Sequence, residues 1–467
     1  MSQQYRPTIH IAIVGHTNTG KTSLLRTLTR DRAFGEVADA PGTTRNVQAA
    51  LCWLDGKEVL AWYDTPGLED SISLRDWIES MPSEGRRLEG SDRVERFLQD
   101  EHAARRFEQE RRVLKQVVHS DAVVYVVDTR EPVLPKYRDE LYLLNACARP
   151  VLPVLNFTAS QGADPEPWVQ ALARLGLHIH LRFDTVTPPI DGEALVFQML
   201  GQLLSVNRAV LDRLAEQAQR ARRQRRQEAL ELVAQMLVDV AALEDFSTAS
   251  GSATEKTVRK QQGDVRSAEQ RCVDGMLLLF QFGRDDYLSG DLAWSDGGWD
   301  SDPFSPDAMR EAGVHLGKGA AAGALAGAAV DVMSAGLTLG TGTLIGAAAG
   351  TAWQGIERWG TDLFARVKGE RSVRVSDAVV LVLAVRQLQL LDALEHRGHA
   401  AQGPVRLTQE WNAEALPGNE LLKLLATARR HDEWSSLRGA CEDSEARTRV
   451  VEQVCSLLND AMQHTSE

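Results

Sequence analysis

The sequence predicts an α/β phosphate-loop nucleotide domain followed by a mostly α-helical domain that carries a glycine-zipper hairpin. Three observations predict it. A β-branched run ends in a Gly-x-x-x-x-Gly-Lys-Thr loop, two further phosphate-type motifs follow it, and beyond about residue 200 helical periodicity takes over. A chain of 467 residues holds roughly three average domains or two large ones. We divide it at 1–200 and 201–467, with the glycine-rich hairpin at about 313–353. A composition of 43% hydrophobic and 25% charged residues excludes wholesale disorder, a collagen-like fibre and a multi-span channel. The net charge of −13 argues against a general nucleic-acid coat, so no DNA partner is expected and RNA is disfavoured. Cys52, Cys147, Cys272, Cys441 and Cys455 lie far apart, as reduced thiols do in a cytosolic chain. The first residues show no apolar run with a cleavage site, so the expected location is cytoplasmic.

The first element is Thr8–Val14, a β-branched run of buried-strand length. It leads into Gly15-His16-Thr17-Asn18-Thr19-Gly20-Lys21-Thr22. Gly15 and Gly20 let the backbone N–H groups face a phosphate, Lys21 reaches the β/γ oxygens, and the Thr22 hydroxyl ligates Mg²⁺. The helix starting near Ser23 turns its positive end to the anion. Pro41-Gly42-Thr43-Thr44-Arg45 follows in a loop, where a threonine hydroxyl can ligate Mg²⁺ and sense the γ-phosphate. Ala49–Leu54, the turn Asp55-Gly56 and Lys57–Tyr63 read as a hairpin. It ends in Asp64-Thr65-Pro66-Gly67, where Asp64 would hold Mg²⁺ through water and the Gly67 amide would meet the γ-phosphate.

A charged insertion with helical patterning at Arg93–Val118 comes next, placed to move with nucleotide state because it follows that loop. Its readings are a solvated helix or a dimer or effector surface. Strand Asp121–Val127, helix Lys136–Ala148 and strand Val151–Leu155 continue the alternation, and strand His178–Phe183 closes it near Asp184-Thr185. After Leu155 stands Asn156-Phe157-Thr158-Ala159.

The motifs GHTNTGKT, PGTTR and DTPG resemble those of the TrmE–Era–EngA–septin group of translation-factor-related small GTPases, over about residues 8–190. The resemblance implies a Ras-like G domain that binds GTP and GDP with Mg²⁺ and hydrolyses GTP. It gives the phosphate and magnesium roles to Lys21, Thr22, Thr44 and Asp64, with Lys21, Thr44 and Gly67 as the catalytic set. Spacing leaves Thr43 open beside the preferred Thr44. Leu68 stands where Ras-like enzymes carry a water-orienting glutamine, which implies slow intrinsic hydrolysis. Glu69, Asp70 and Asp76 are candidates to position water instead. Asn18 matches the position that helps bind K⁺ in TrmE-like members, the alternative being that it only stabilises the turn. Potassium-dependent members pair through their G domains, so a nucleotide-dependent homodimer is an expectation. The guanine-reading Asn-Lys-x-Asp is reduced to Asn156, with Phe157 for the lysine and Ala159 for the aspartate. Phe157 can stack on a base, and Asp164 lies in a loop able to curl back.

In the second half, Asn207–Phe246 reads as one long helix containing RARRQRR at Arg220–Arg226. That run is a solvated face, a contact for anionic lipid, or a contact for RNA. A break at Ser247–Thr254 precedes a helix reaching Phe282, then an aspartate-rich loop at Arg284–Asp307 without the register of a calcium site. In Gly319–Trp353 the only charge is Asp331, and glycines recur every fourth residue at Gly319, Gly323 and Gly327 and at Gly342, Gly346 and Gly350. Such spacing lets two helices approach closely, with a turn inside Asp331–Thr341. Lys318, Trp353, Arg358 and Trp359 would flank it as an interfacial anchor. The readings are a buried hairpin, partial insertion at the inner face of the cytoplasmic membrane, or a true span; each arm is short for the last. Ser376–Glu395, Leu421–Ala428 and Arg449–Met462 are further helices.

The whole layout resembles a bacterial GTPase family whose C-terminal half is a domain of unknown function. Three functions are therefore weighed: a slow GTPase switch, a nucleotide-gated scaffold with negligible hydrolysis, and a dynamin-like membrane-remodelling protein.

Overall fold

A computed structural model describes residues 8–31, 34, 48–82, 88–248, 251–282, 294–295, 298–299, 302–305, 330–333, 370–399, 401, 415–439, 441 and 444–463. Thr43 and Thr44 lie outside the described residues, as does most of the 313–353 segment with its glycines. The chain forms two compact units, one of Met1–Arg222 with His396–Gln402, the other of Arg223–Glu395 with Gly403–Glu467.

The first unit is built on β1 (Ile9–Val14), β2 (Gln48–Leu54), β3 (Lys57–Asp64), β4 (Ala122–Asp128), β5 (Val151–Asn156) and β6 (Leu181–Arg182). Their order in the sheet is β2-β3-β1-β4-β5-β6. Only the β2–β3 pair is antiparallel. Its turn has positive φ at both Asp55 (51°) and Gly56 (72°), the twist a two-residue hairpin demands and the reason Asp-Gly was legible there. Period-two alternation splits β1 between two cores. Ile9, Ile11 and Ile13 face one side with Leu24, Leu25, Trp62 and Phe197, while Ala12 and Val14 face the other with Leu74, Phe97, Val117 and Leu144. Burial on both faces explains why these strands read as continuous apolar runs.

Helices cover both faces: α1 (Lys21–Thr29), α2 (Ser71–Glu79), α3 (Gly90–Gln99), α4 (Glu101–Arg106), α5 (Glu108–Val118), α6 (Pro135–Ala146), α7 (Glu166–Arg174) and α8 (Gly192–Leu203). The helical patterning expected at Arg93–Val118 falls on α3, α4 and α5, and among the described residues α2 adds a helix at the start of the insertion. Asp70 caps α2 through Ser73 N–H at 3.1 Å, and Asp100 caps α4 through the His102 and Ala103 N–H groups. Phe97 and Phe107 pack edge to face under Trp77, so the insertion has an apolar underside of its own.

The long helix α9 runs Arg208–Ala242 and stops before Phe246, because Glu244–Thr248 is strand β7. The arginine run is solvated in part, with Arg220 and Arg223 exposed and the others half-buried. Arg220 pairs with Glu216 at 2.9 Å and Arg222 with Asp191 at 2.8 Å, while Arg226 is bidentate to the buried Glu395.

The second unit adds α10 (Gly251–Leu279), β8 (Trp294–Ser295), β9 (Gly298–Trp299), β10 (Val330–Met333), β11 (Glu370–Val375), α11 (Asp377–Glu395), α12 (Gly418–Ala428) and α13 (Glu445–Gln463). The supposed break at Ser247–Thr254 begins as β7 and ends as α10, and Val330–Met333, placed inside the helical hairpin, is a strand. β10, β11 and β7 form a three-stranded antiparallel sheet with Val332 opposite Val373 and Ser372 opposite Phe246. Four residues of alternation were too short to show against a glycine-rich background. Likewise β8 and β9 pair within the predicted aspartate-rich loop.

Helix α11 has no exposed face and is the centre of this unit, with Val379, Val380, Val382, Leu383, Leu388 and Leu391 fully buried. Each such side chain contributes about 1.5–3 kcal/mol on burial. Among the described residues no helix is long and apolar enough to cross a membrane. All five cysteines are free thiols.

Candidate functional site

The carboxyl end of β1, flanked by β3 on one side and β4 on the other, is where an open α/β sheet opens a ligand crevice. The loop Gly15–Gly20 sits there and feeds α1. Gly20 has φ +92°, and a Cβ on it would fall 2.3 Å from Asn156 Nδ2, so no side chain fits. Thr19 steadies the turn by donating to the His16 carbonyl at 3.0 Å. Lys21 is buried and donates to the Gly15 and His16 carbonyls at 3.2 and 2.7 Å. Burial lowers its pKa, against the opposing pull of Asp64, Glu140 and Glu69. Asn18 stands exposed at the loop tip with φ +66°.

Thr22 and Asp64, predicted as the magnesium pair, are in contact. The Thr22 hydroxyl donates to Asp64 Oδ2 at 2.6 Å. Asp64 Oδ1 is buried with no hydrogen-bond partner. Burial raises the pKa of this carboxyl, and the Thr22 hydroxyl and Lys21 oppose the rise. A partnerless carboxylate oxygen beside a hydroxyl, below the phosphate loop, suits a hard cation that takes oxygen ligands. The residues present therefore fit Mg²⁺.

The Asp64–Gly67 segment packs on the phosphate loop. Leu68 N–H donates to the Gly15 carbonyl at 3.3 Å, and a Cβ on Gly67 would fall 2.4 Å from Thr17 Oγ1. Leu68 itself is fully buried and turned into the core. Of the three acidic candidates, Glu69 lies nearest the loop, accepting from the Thr17 hydroxyl at 3.3 Å. Asp70 is spent on capping α2, and Asp76 sits exposed on that helix.

On the base side, Asn156 is fully buried and connects three loops. Its amide donates to the Thr19 carbonyl at 2.9 Å, and its oxygen accepts from Phe157 N–H at 2.8 Å and Thr185 N–H at 2.9 Å. Phe157 takes φ +59°, and the Arg130 guanidinium covers its ring at 3.8 Å. Asp128 holds Arg130 through bonds of 2.9 and 2.6 Å. Asp164, the candidate in the following loop, is exposed. Its N–H reaches the Thr129 carbonyl at 3.0 Å, but its side chain accepts from Glu166 N–H at 3.3 Å. Asp184 accepts from the N–H groups of Ala159, Val186 and Thr187 and so braces the two base loops against each other.

Residues 170–456, more than half of the chain, match the family described as a domain of unknown function, DUF3482. The chain belongs to the DUF3482 family. Residues 10–157 match the family described as 50S ribosome-binding GTPase, which makes the N-terminal unit of this DUF3482 protein a P-loop G domain. Among curated proteins, GTPase Der of Xylella fastidiosa (strain 9a5c) is 28% identical over 148 residues, 31% of this chain and 25% of Der. A mitochondrial 5-taurinomethyluridine-[tRNA] synthase subunit of Danio rerio is 37% identical over 83 residues, 18% of this chain and 15% of that protein. The chain thus spans about a quarter or less of the length of these relatives. A structure of Era with MgGDPNP and a 16S ribosomal RNA segment superposes with a TM-score of 0.31 at 15% identity, covering 42% of this chain and 57% of that one.

Several residues at the DUF3482 protein's site carried no recognised motif. Glu140, fully buried on α6, accepts from the Tyr125 hydroxyl at 2.7 Å and bonds His16 Nδ1 at 2.8 Å, while Lys136 Nζ lies 3.0 Å from His16 Nε2. The second residue of the phosphate loop is thereby locked to α6. Gln109 and Glu110 of α5 reach the Gly67–Asp70 backbone. The only hint of them in the sequence is that the insertion directly follows DTPG.

Proposed function

We propose that the protein is a slow, Mg²⁺-dependent GTPase that works as a nucleotide-controlled switch. The observation that carries this reading is the partnerless Asp64 oxygen beside the Thr22 hydroxyl, beneath a loop whose lysine is already in place. Lys21 would exchange its two carbonyl partners for phosphate oxygens, and the loop N–H groups would face the same anion. Thr22, Asp64 and Thr44 would hold Mg²⁺, which would supply positive charge to neutralise the phosphates. The Gly67 N–H would meet the γ-phosphate, making the Asp64–Gly67 loop the nucleotide sensor. Slow turnover follows from the burial of Leu68, whose apolar side chain cannot order a water.

Stimulation by K⁺ belongs to the same proposal. Asn18 offers an amide oxygen at the exposed tip of the loop, a suitable donor for a hard monovalent cation. Nucleotide-dependent pairing of two G domains would accompany it. A peripheral place at an anionic membrane surface rests on the nearly uncharged 319–353 run and on the exposed Arg220 and Arg223, since Arg222 and Arg226 are engaged in ion pairs. Sedimentation with anionic vesicles tests that part.

Multiple-turnover phosphate release from GTP, with and without K⁺, tests the main reading. Turnover that Lys21→Ala abolishes supports it, and turnover that Lys21→Ala leaves unchanged rejects it. A nucleotide-gated scaffold is the second reading, favoured by Ala159 standing in place of the base-reading aspartate. It predicts tight nucleotide binding with no phosphate release.

A further inference from the structure

The loop that would sense the γ-phosphate is held by groups from opposite sides. The peptide joining Gly67 to Leu68 is fixed at both ends: its N–H donates to the Gly15 carbonyl at 3.3 Å, and its carbonyl accepts from Gln109 Nε2 at 2.6 Å. Next along the chain, the N–H groups of Glu69 and Asp70 donate to Glu110 Oε1 at 3.3 and 3.1 Å. Glu110 is 5% exposed, so its bonds are shielded from competing water. Gln109 and Glu110 open α5, the last helix of the insertion. A glutamine amide therefore lies against the sensor glycine, although it comes from forty-odd residues downstream of the position beside that glycine, which Leu68 occupies.

We propose that Gln109 is a positioning residue for hydrolysis, and that through it the insertion holds the sensor loop in cis. This rests on the GTPase reading above. Gly67 has no side chain, so its own dihedrals are otherwise the least restrained in the loop. Fixing the Gly67 carbonyl anchors the peptide that follows the sensor glycine and so narrows the range over which its own N–H can swing. A donor aimed before the reaction stabilises developing charge without a reorganisation cost at the moment of transfer. Gln109 acts through Gly67 and need not touch the nucleotide. Glu110 holds the following turn so that α5 and the sensor loop move together.

The test uses the full chain and three proteins: wild type, Gln109→Ala and Gln109→Glu. Gln109→Glu keeps the size and packing of the side chain but replaces the donor with a carboxylate facing a carbonyl. Single-turnover GTP hydrolysis at saturating Mg²⁺ is measured beside GDP affinity. Both variants are expected to lose at least about tenfold in the hydrolysis rate, with GDP affinity within about twofold of wild type. Wild-type hydrolysis in both variants overturns the inference and leaves the GTPase reading standing. Loss of GDP affinity in proportion to the rate also overturns it, since that marks a merely structural contact. A wild-type protein that releases no phosphate overturns the GTPase reading and this inference with it.

Discussion

The side-chain amide of Asn156 donates to the Thr19 carbonyl across 2.9 Å, tying the end of β5 to the phosphate loop. The same side chain accepts from the N–H groups of Phe157 and Thr185, so one buried residue holds the loops around phosphate and base in register. This is a scaffold role, and it survives in a segment where the lysine and aspartate partners of the asparagine are absent.

Asn156→Ala is expected to leave the Thr19 carbonyl and two N–H groups without their partners. The cost should be about 3 kcal/mol of stability. GDP affinity should fall by at least about tenfold because two loops lose their common anchor. Urea unfolding and calorimetry measure the two effects. A folded variant with unchanged GDP affinity contradicts the scaffold role.

Asp64→Asn removes the carboxylate charge while keeping its shape. In the wild type, chelating Mg²⁺ should weaken GTP binding. In the variant the binding should respond little to chelation, because the charged oxygen that suits the cation is gone. Equal sensitivity to chelator in both proteins places the metal elsewhere.

The second unit contains a buried acid whose titration should be visible. Glu269 accepts from Arg386 and Gln387, each at 3.4 Å, and desolvation pushes its pKa up to about 7 from the ordinary 4.5. Because the folded value lies above the unfolded one, the folded protein binds the extra proton between the two. Stability from this group is complete below about pH 4.5 and is lost as pH rises toward 7, by about 3 kcal/mol in all. Glu269→Gln should flatten that part of the stability profile. A variant with the same slope as wild type over this window shows that other groups carry it.

Gly398 belongs to the first unit although it lies far along the chain. Its N–H donates to the Val186 carbonyl at 2.9 Å, and a Cβ on it would fall 1.8 Å from the Thr185 carbonyl oxygen. Gly398→Ala must therefore shift the loop that Asn156 and Asp184 brace, with an expected loss of about 1–3 kcal/mol. Gly263→Ala serves as the control. That glycine lies within α10 with nothing near its Cβ position, and alanine there should stabilise by up to about 1 kcal/mol. Thermal melts of both variants decide the matter.

The first unit was legible because its signals are local. The Thr8–Val14 run, the Gly15–Thr22 loop and the Asp55-Gly56 turn each declare their structure within a few residues, and the alternation of strands and helices gives the sheet. The Thr22–Asp64 contact also followed from motif order. What the sequence hid was long-range. Nothing near Gln109 or Glu140 marks them as partners of Gly67 or His16, since those contacts span 42 and 124 residues. The pairing of β10 with β11 was hidden in the same way, because β10 has only four residues and nothing near it marks β11 as its partner. The engaged part of the arginine run was hidden for a related reason: the partners of Arg222 and Arg226 are Asp191 and Glu395, which periodicity within the helix does not reveal.

The most direct test of the central claim is calorimetric binding of GTP, GDP and ATP to the purified chain with Mg²⁺. GTP and GDP are expected to bind at least about tenfold more tightly than ATP, and Lys21→Ala to lose all three. ATP binding equal to or tighter than GTP would contradict the GTPase assignment, leaving a phosphate-loop switch driven by a different nucleotide.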